Sequence, residues 1–88
     1  MLERTVIVTA KDGLHARPAA RFVQQASASA AALTLRKEGG EPIDAKSMLS
    51  VLALGVREGD QVILAGEDSA GQLLDELAAL LSPQAEST

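Results

Sequence analysis

The chain has 88 residues, a net charge of −4 from eight Lys and Arg against twelve Asp and Glu, and no cysteine. That length predicts a single domain over residues 1–88, burying only about 60–65% of its unfolded surface and leaving no room for a separate catalytic domain. The basic residues form no run, which argues against nucleic acid as a partner. The lack of cysteine excludes a disulfide framework and any thiolate metal site.

No apolar run reaches the roughly 20 residues of a membrane span. Met1-Leu2-Glu3-Arg4 also lacks the basic start and long apolar core of a signal peptide, so a cytoplasmic protein without direct membrane insertion is expected. Residues 2–9 alternate, with Leu2, Arg4, Val6 and Val8 on one face and Glu3, Thr5, Ile7 and Thr9 on the other, which predicts a half-buried strand. Lys11, Asp12 and Gly13 end it. Pro18 then opens a pattern whose apolar positions are Ala19, Phe22, Val23 and Ala26. This spacing predicts a helix from about Ala16 to Ser27 or Ala28, starting between His15 and Pro18 because proline suits a first turn. Phe22 is the only aromatic residue, so the core must be built from Ala, Val, Ile and Leu around it.

Leu33 and Leu35 alternate with Ala32, Thr34 and Arg36 as a second strand, and Glu38-Gly39-Gly40 reads as a hairpin turn. A third strand is expected over Glu41–Asp44. It carries Pro42, which cannot donate to a ladder and so belongs at a sheet edge. Ser47 suits the N-cap of a short helix through about Ala53, ended by Gly55. Gln61–Ala65 is a fourth strand, closed by Gly66. Ser69 and Gln72 have capping-box spacing, and Leu73, Leu74, Leu77, Leu80 and Leu81 form a helical stripe that stops before Pro83, leaving a polar tail over 83–88. The order β-α-β-β-α-β-α predicts an α+β fold, an antiparallel sheet with helices packed on one face.

The chemistry gathers in Gly13-Leu14-His15-Ala16-Arg17-Pro18, which holds the only histidine. A helix N-terminus offers unpaired N–H groups and a partial positive charge, both attractive to phosphate. Arg17 adds a planar fork of donors suited to phosphoryl oxygens. An imidazole with its unperturbed pKa near 6.5 is a nucleophile at neutral pH. Together these fit covalent capture of a phosphoryl group on a ring nitrogen. Neighbouring His, Asp and Glu do not have ligand spacing, so no metal and no cofactor is called for.

That hexapeptide resembles, at every position, the signature of the histidine-containing phosphocarrier (HPr) proteins of the bacterial sugar phosphotransferase system. Lys46-Ser47-Met48-Leu49-Ser50-Val51-Leu52-Ala53-Leu54-Gly55 resembles the same family's regulatory-serine segment. The resemblance runs from about residue 2 to 82 and implies an open-faced β-sandwich with strand order 1-4-2-3, three helices on one face and the short second helix beside His15. In the strand pairing so implied, Ile7 and Ile63 would fall on the face away from the helices as two exposed aliphatics. The resemblance also implies a carrier rather than a stand-alone enzyme. His15 would take a phosphoryl group on Nδ1 from phosphorylated enzyme I, originally from phosphoenolpyruvate, and pass it to IIA domains of sugar transporters. The backbone amides of Ala16 and Arg17 would hold the phosphate, and the Arg17 side chain would balance its charge.

By the same resemblance Ala16, Arg17, Ala20, Gln24, Leu49 and Leu52 would form the partner-binding rim, although Ala20, Leu49 and Leu52 fit core packing equally well. Ser47 would be a phosphorylation site for an HPr kinase/phosphorylase, adding negative charge beside the histidine site. A monomer fits a protein that presents one site to successive partners. The departures are small. The Arg36–Glu41 hairpin is one residue longer than in many relatives, Ala26–Ala32 is rich in alanine, and Gln24 and Ser27 stand where some relatives carry lysine. Two other classes share these features. A regulatory or adaptor paralogue would keep the fold with little sugar-transport role, and a small phosphatase would need a paired acid that the sequence does not offer.

Overall fold

The computed structural model describes residues 1–11, 13–14 and 16–83; Asp12, His15 and the expected tail beyond Pro83 lie outside the described residues. The elements are β1 (Leu2–Ile7), α1 (Ala16–Ser27), β2 (Leu33–Lys37), β3 (Ile43–Asp44), α2 (Met48–Leu54), β4 (Gln61–Gly66) and α3 (Gly71–Leu81), with a 3-10 turn at Asp68–Ala70 leading into α3. The four strands form one antiparallel sheet in the order β1-β4-β2-β3. This is the expected order, and three helices accompany the sheet.

Period-2 patterning selects one face for burial. Val6 and Val8 of the first strand segment, Leu33 and Leu35 of β2, and Val62 and Leu64 of β4 are buried, and they join Phe22, Ala26, Val51, Leu74, Leu77 and Leu81 from the helices in one core. Glu3, Thr5 and Ile7 of β1 stay exposed. The first strand departs from its expected end because the chain changes partner after Ile7. Val8 exchanges backbone bonds with the β4 approach, donating to the Asp60 carbonyl at 2.8 Å and accepting from the Gly59 N–H at 2.7 Å. Thr9 and Ala10 then donate to the Leu81 carbonyl at 2.9 and 3.0 Å. They satisfy a C-terminal helix carbonyl that has no partner within α3.

Three expectations need correction. Pro42 stands outside the third strand, which is reduced to Ile43–Asp44 at the sheet edge; a residue without an N–H cannot extend the ladder. Ser69 and Gln72 form no capping box. Ser69 lies inside the 3-10 turn, where Ala70 donates to the Glu67 carbonyl at 2.8 Å and is drawn into the core, so α3 opens at Gly71 with no side-chain cap. The Gln72 amide donates instead to Glu76 one turn on, at 3.4 Å. Ile63 is only 7% exposed, against 50% for Ile7. Both face away from the helices, but Ile63 is on a central strand, directly flanked in the register by Thr5 of β1 and Arg36 of β2, whereas Ile7 is on an edge.

Lys46 makes a tie that periodicity does not report. Its Nζ donates to the Ser29 carbonyl at 2.6 Å and joins the approach to α2 with the loop after α1. Among the described residues, no helix is long and apolar enough to cross a membrane.

Candidate functional site

Residue 15 itself lies outside the described residues, but the backbone on both sides of it is defined. Before it, Gly13 donates to the Ala10 carbonyl at 3.0 Å and Leu14 donates to the Val56 carbonyl at 3.1 Å, while the Leu14 side chain is buried at 4% exposure. Gly13 has φ +55°, and a Cβ built on it would meet the Val56 carbonyl oxygen and come within 2.7 Å of the Arg57 Cα. Only glycine therefore lets the loop lie flat against the α2–β4 connection. After it, α1 begins at Ala16. The first-turn N–H groups of such a helix have no intrahelical acceptor, and Pro18 in that turn brings none of its own.

The burial pattern fixes how α1 is rotated. Ala19, Phe22 and Ala26 are buried, so Arg17, Ala20 and Gln24, at spacings of three and four, share the exposed face with Arg21 beside them. The Arg17 side chain forms no ion pair among the described residues. α2 packs on α1 and turns Val51 into the core. Its opposite side carries Leu49, 80% exposed, and Leu52, 40% exposed. The choice left open between core packing and exposure is thus decided for Ala20, Leu49 and Leu52, all three of which face solvent. Leu49 and Leu52 are the exposed apolar residues of α2, and Ala20 shares the exposed face of α1 with Arg17 and Arg21.

Ser47 caps α2. Its backbone is extended (φ −99°, ψ 110°) and its hydroxyl accepts from the Ser50 N–H at 3.2 Å. At the other end Gly55 takes the left-handed conformation (φ 68°) and its N–H donates to the Leu52 carbonyl. A Ser47→Ala variant is expected to lose about 1 kcal/mol of stability, the usual cost of an N-cap side chain. Urea unfolding of the two proteins checks this. Ser47 and Val56, the residue that receives Leu14, stand at opposite ends of α2. Seven helical residues separate them by about 10 Å.

The α2–β4 connection carries a carboxylate that sequence reasoning passed over. Asp60 Oδ2 accepts from the Arg57 N–H at 2.9 Å and pairs with Lys37 Nζ at 3.4 Å. The Arg57 backbone N–H, followed by Lys37, holds the Asp60 carboxyl below its usual range. The one available signal was the spacing Arg57-Glu58-Gly59-Asp60, an acid three residues after the position whose N–H it receives.

A family model described as "PTS HPr component phosphorylation site" matches residues 2–82. The chain is 43% identical over 83 residues to the phosphocarrier protein HPr of Streptomyces coelicolor, covering 93% of this chain and 89% of that protein. It is 38% identical over 86 residues to the HPr-like protein Crh of Bacillus subtilis, covering 96% and 99%. Among solved structures, the phosphocarrier protein HPr from Bacillus anthracis superposes with a TM-score of 0.86 at 34% identity, over 92% of this chain and 96% of that one.

Proposed function

The chain belongs to the HPr family of phosphocarrier proteins of the phosphotransferase system, and on that premise we propose that His15 accepts a phosphoryl group from phosphorylated enzyme I and passes it to IIA domains of sugar transporters. In the first transfer the bond between phosphorus and the donor atom breaks as a bond to His15 Nδ1 forms, and the donor atom keeps the electron pair. In the onward step the bond from phosphorus to Nδ1 breaks as a bond to the acceptor forms, and the His15 imidazole keeps the electron pair. The observation that carries the reading is the pinning of Leu14 to Val56 immediately before α1. It supports a histidine set at a helix N-terminus, with the amides of Ala16 and Arg17 receiving the phosphate and the exposed Arg17 side chain balancing its charge.

A carrier must release what it accepts. One exposed helix terminus stabilises an anion by about 0.3–1 kcal/mol, enough to hold the group and too little to trap it. The exposed faces of α1 and α2 are the docking surface for both partners in this reading, and the protein acts as a monomer in the cytoplasm. Ser47 is the regulatory position, modified by an HPr kinase/phosphorylase. A phosphate there would add about −1.5 to −2 charges at the start of α2. That charge would favour the helix start yet repel an incoming phosphoryl donor, and so inhibit transfer by electrostatics without large structural change.

Intact-mass analysis after incubation with phosphoenolpyruvate, magnesium and a general enzyme I tests the central step. The expected result is one added phosphoryl group, labile in acid, stable in base and absent from His15→Ala. No added mass with the cognate enzyme I would instead favour a regulatory or adaptor protein, the reading to which the Crh similarity gives weight.

A further inference from the structure

We propose that Asp60 is a positioning residue for phosphoryl transfer: by receiving the Arg57 N–H it holds the Val56–Arg57 backbone on which the loop before His15 rests. The inference depends on His15 being the phosphoryl acceptor. Asp60 and Arg57 are bonded reciprocally, since the Asp60 N–H donates to the Arg57 carbonyl at 3.0 Å while Asp60 Oδ2 accepts from the Arg57 N–H at 2.9 Å. The four-residue turn is thus closed by both main chain and side chain. It is tied outward to the end of the first strand by the two backbone bonds of Val8 with Gly59 and Asp60, and to β2 by the Lys37 ion pair.

The far side of this turn is what the loop touches. Val56 gives its carbonyl to Leu14, and Gly13 packs so closely on Val56 and Arg57 that no Cβ fits between them. Asp60 therefore acts on residue 15 through two intermediaries, first the Arg57 peptide and then the Gly13–Leu14 backbone. Without its acceptor the Arg57 N–H can turn to water, the Val56–Arg57 peptide gains freedom, and Leu14 loses a fixed carbonyl. Such small displacements matter because transfer between two proteins demands close alignment of donor, phosphorus and acceptor.

The geometry separates this role from a purely electrostatic one. Asparagine keeps a carbonyl oxygen at the right reach for the Arg57 N–H but loses the charge that pairs with Lys37. Glutamate keeps the charge but is one methylene too long to close the turn. Asp60→Asn, Asp60→Glu and Asp60→Ala are compared with the unaltered protein in phosphoryl transfer from enzyme I, varying the carrier concentration. Their melting temperatures establish that each is folded at the assay temperature.

Asp60→Glu and Asp60→Ala are expected to lower kcat about five- to tenfold with KM changed less than about twofold, because the exposed docking faces of α1 and α2 are untouched. Asp60→Asn should stay within about twofold in both. Amide hydrogen exchange at Leu14 should follow the same order, faster in the Glu and Ala variants and unchanged in Asn. If Asp60→Ala proves too unstable to assay, the order of Asn and Glu still decides. The proposal is overturned if Glu retains the rate while Asn loses it, or if all variants match the parent. It also falls if the parent itself takes no phosphoryl group, an outcome that would remove the acceptor role of His15 at the same time.

Discussion

Replacing Gly13 by alanine should cost both transfer and stability, and more of each than the same change at Gly55. Gly13 and Gly55 share a left-handed backbone, at φ +55° and +68°. An alanine in that conformation costs about 1–2 kcal/mol. At Gly55 nothing lies within 4 Å of the added Cβ, so that cost is the whole effect. At Gly13 the Cβ meets backbone on the facing chain, the Val56 carbonyl oxygen and the Arg57 Cα, and neither can swing aside as a side chain would. The forced separation adds about 1–3 kcal/mol, the range for overpacking a tight contact.

The separation also has a direction. It pushes the loop off Val56, breaks the bond from the Leu14 N–H, and shifts the residue that follows Leu14 relative to α1. Gly55→Ala is expected to unfold earlier in urea but to accept phosphoryl groups at close to the parent rate. Gly13→Ala is expected to lose at least about tenfold in kcat even at temperatures where it is fully folded. Equal transfer rates for the two variants would mean that the contact with Val56 does not position the site.

Gly13 also marks the limit of what periodicity reveals. The alternation of Leu2, Val6 and Val8 and the helical spacing of Ala19, Phe22 and Ala26 are local patterns set by burial on one face, and they place β1 and α1 to within two residues. The caps at Ser47 and Gly55 are equally local, since each is satisfied by its own helix. The failures are cases in which a distant neighbour decides. Ser69 has the right spacing for a capping box, but burial of Ala70 tightens the chain into a 3-10 turn before the helix can use it. The pairing that family resemblance implies would expose Ile63, but the residue is covered because β4 is a central strand flanked on both sides.

The site divides in the same way. Arg17, Ala20 and Gln24 follow from the rotation of one helix. The packing of Gly13 on Val56, the brace of Asp60 on Arg57 and the tie of Lys46 to Ser29 join segments far apart in the chain or in a turn without periodic signal. Patterns within one element are therefore visible in the sequence, and the contacts on which Gly13 and Leu14 rest are not.

Phe22 connects the two halves of the problem, because it occupies the inward face of the helix whose outward face is proposed to meet the partners. It is fully buried and is the only aromatic in a core otherwise made of smaller aliphatic residues and alanine. Ala19 and Ala26 stand on the same buried stripe, one turn before it and one turn after it, and are too small to fill space that its ring vacates. Phe22→Ala should accordingly cost about 3–5 kcal/mol. For 88 residues the whole stability is only about 4–13 kcal/mol, so this one change removes a large part of it and lowers the melting temperature by at least about 12 °C.

Phe22→Leu keeps most of the volume and should cost about 1.5 kcal/mol or less. The effect on transfer should be of another kind than at Gly13. Arg17, Ala20 and Gln24 keep their chemistry in Phe22→Ala, so the rate per folded molecule should be near that of the parent, and the observed rate should fall in step with the folded fraction as temperature rises. Circular dichroism and phosphoryl transfer followed on the same samples would test this. A rate that drops well before the helical signal does would mean that the ring of Phe22 holds the α1 surface in its active shape and does more than keep the domain folded.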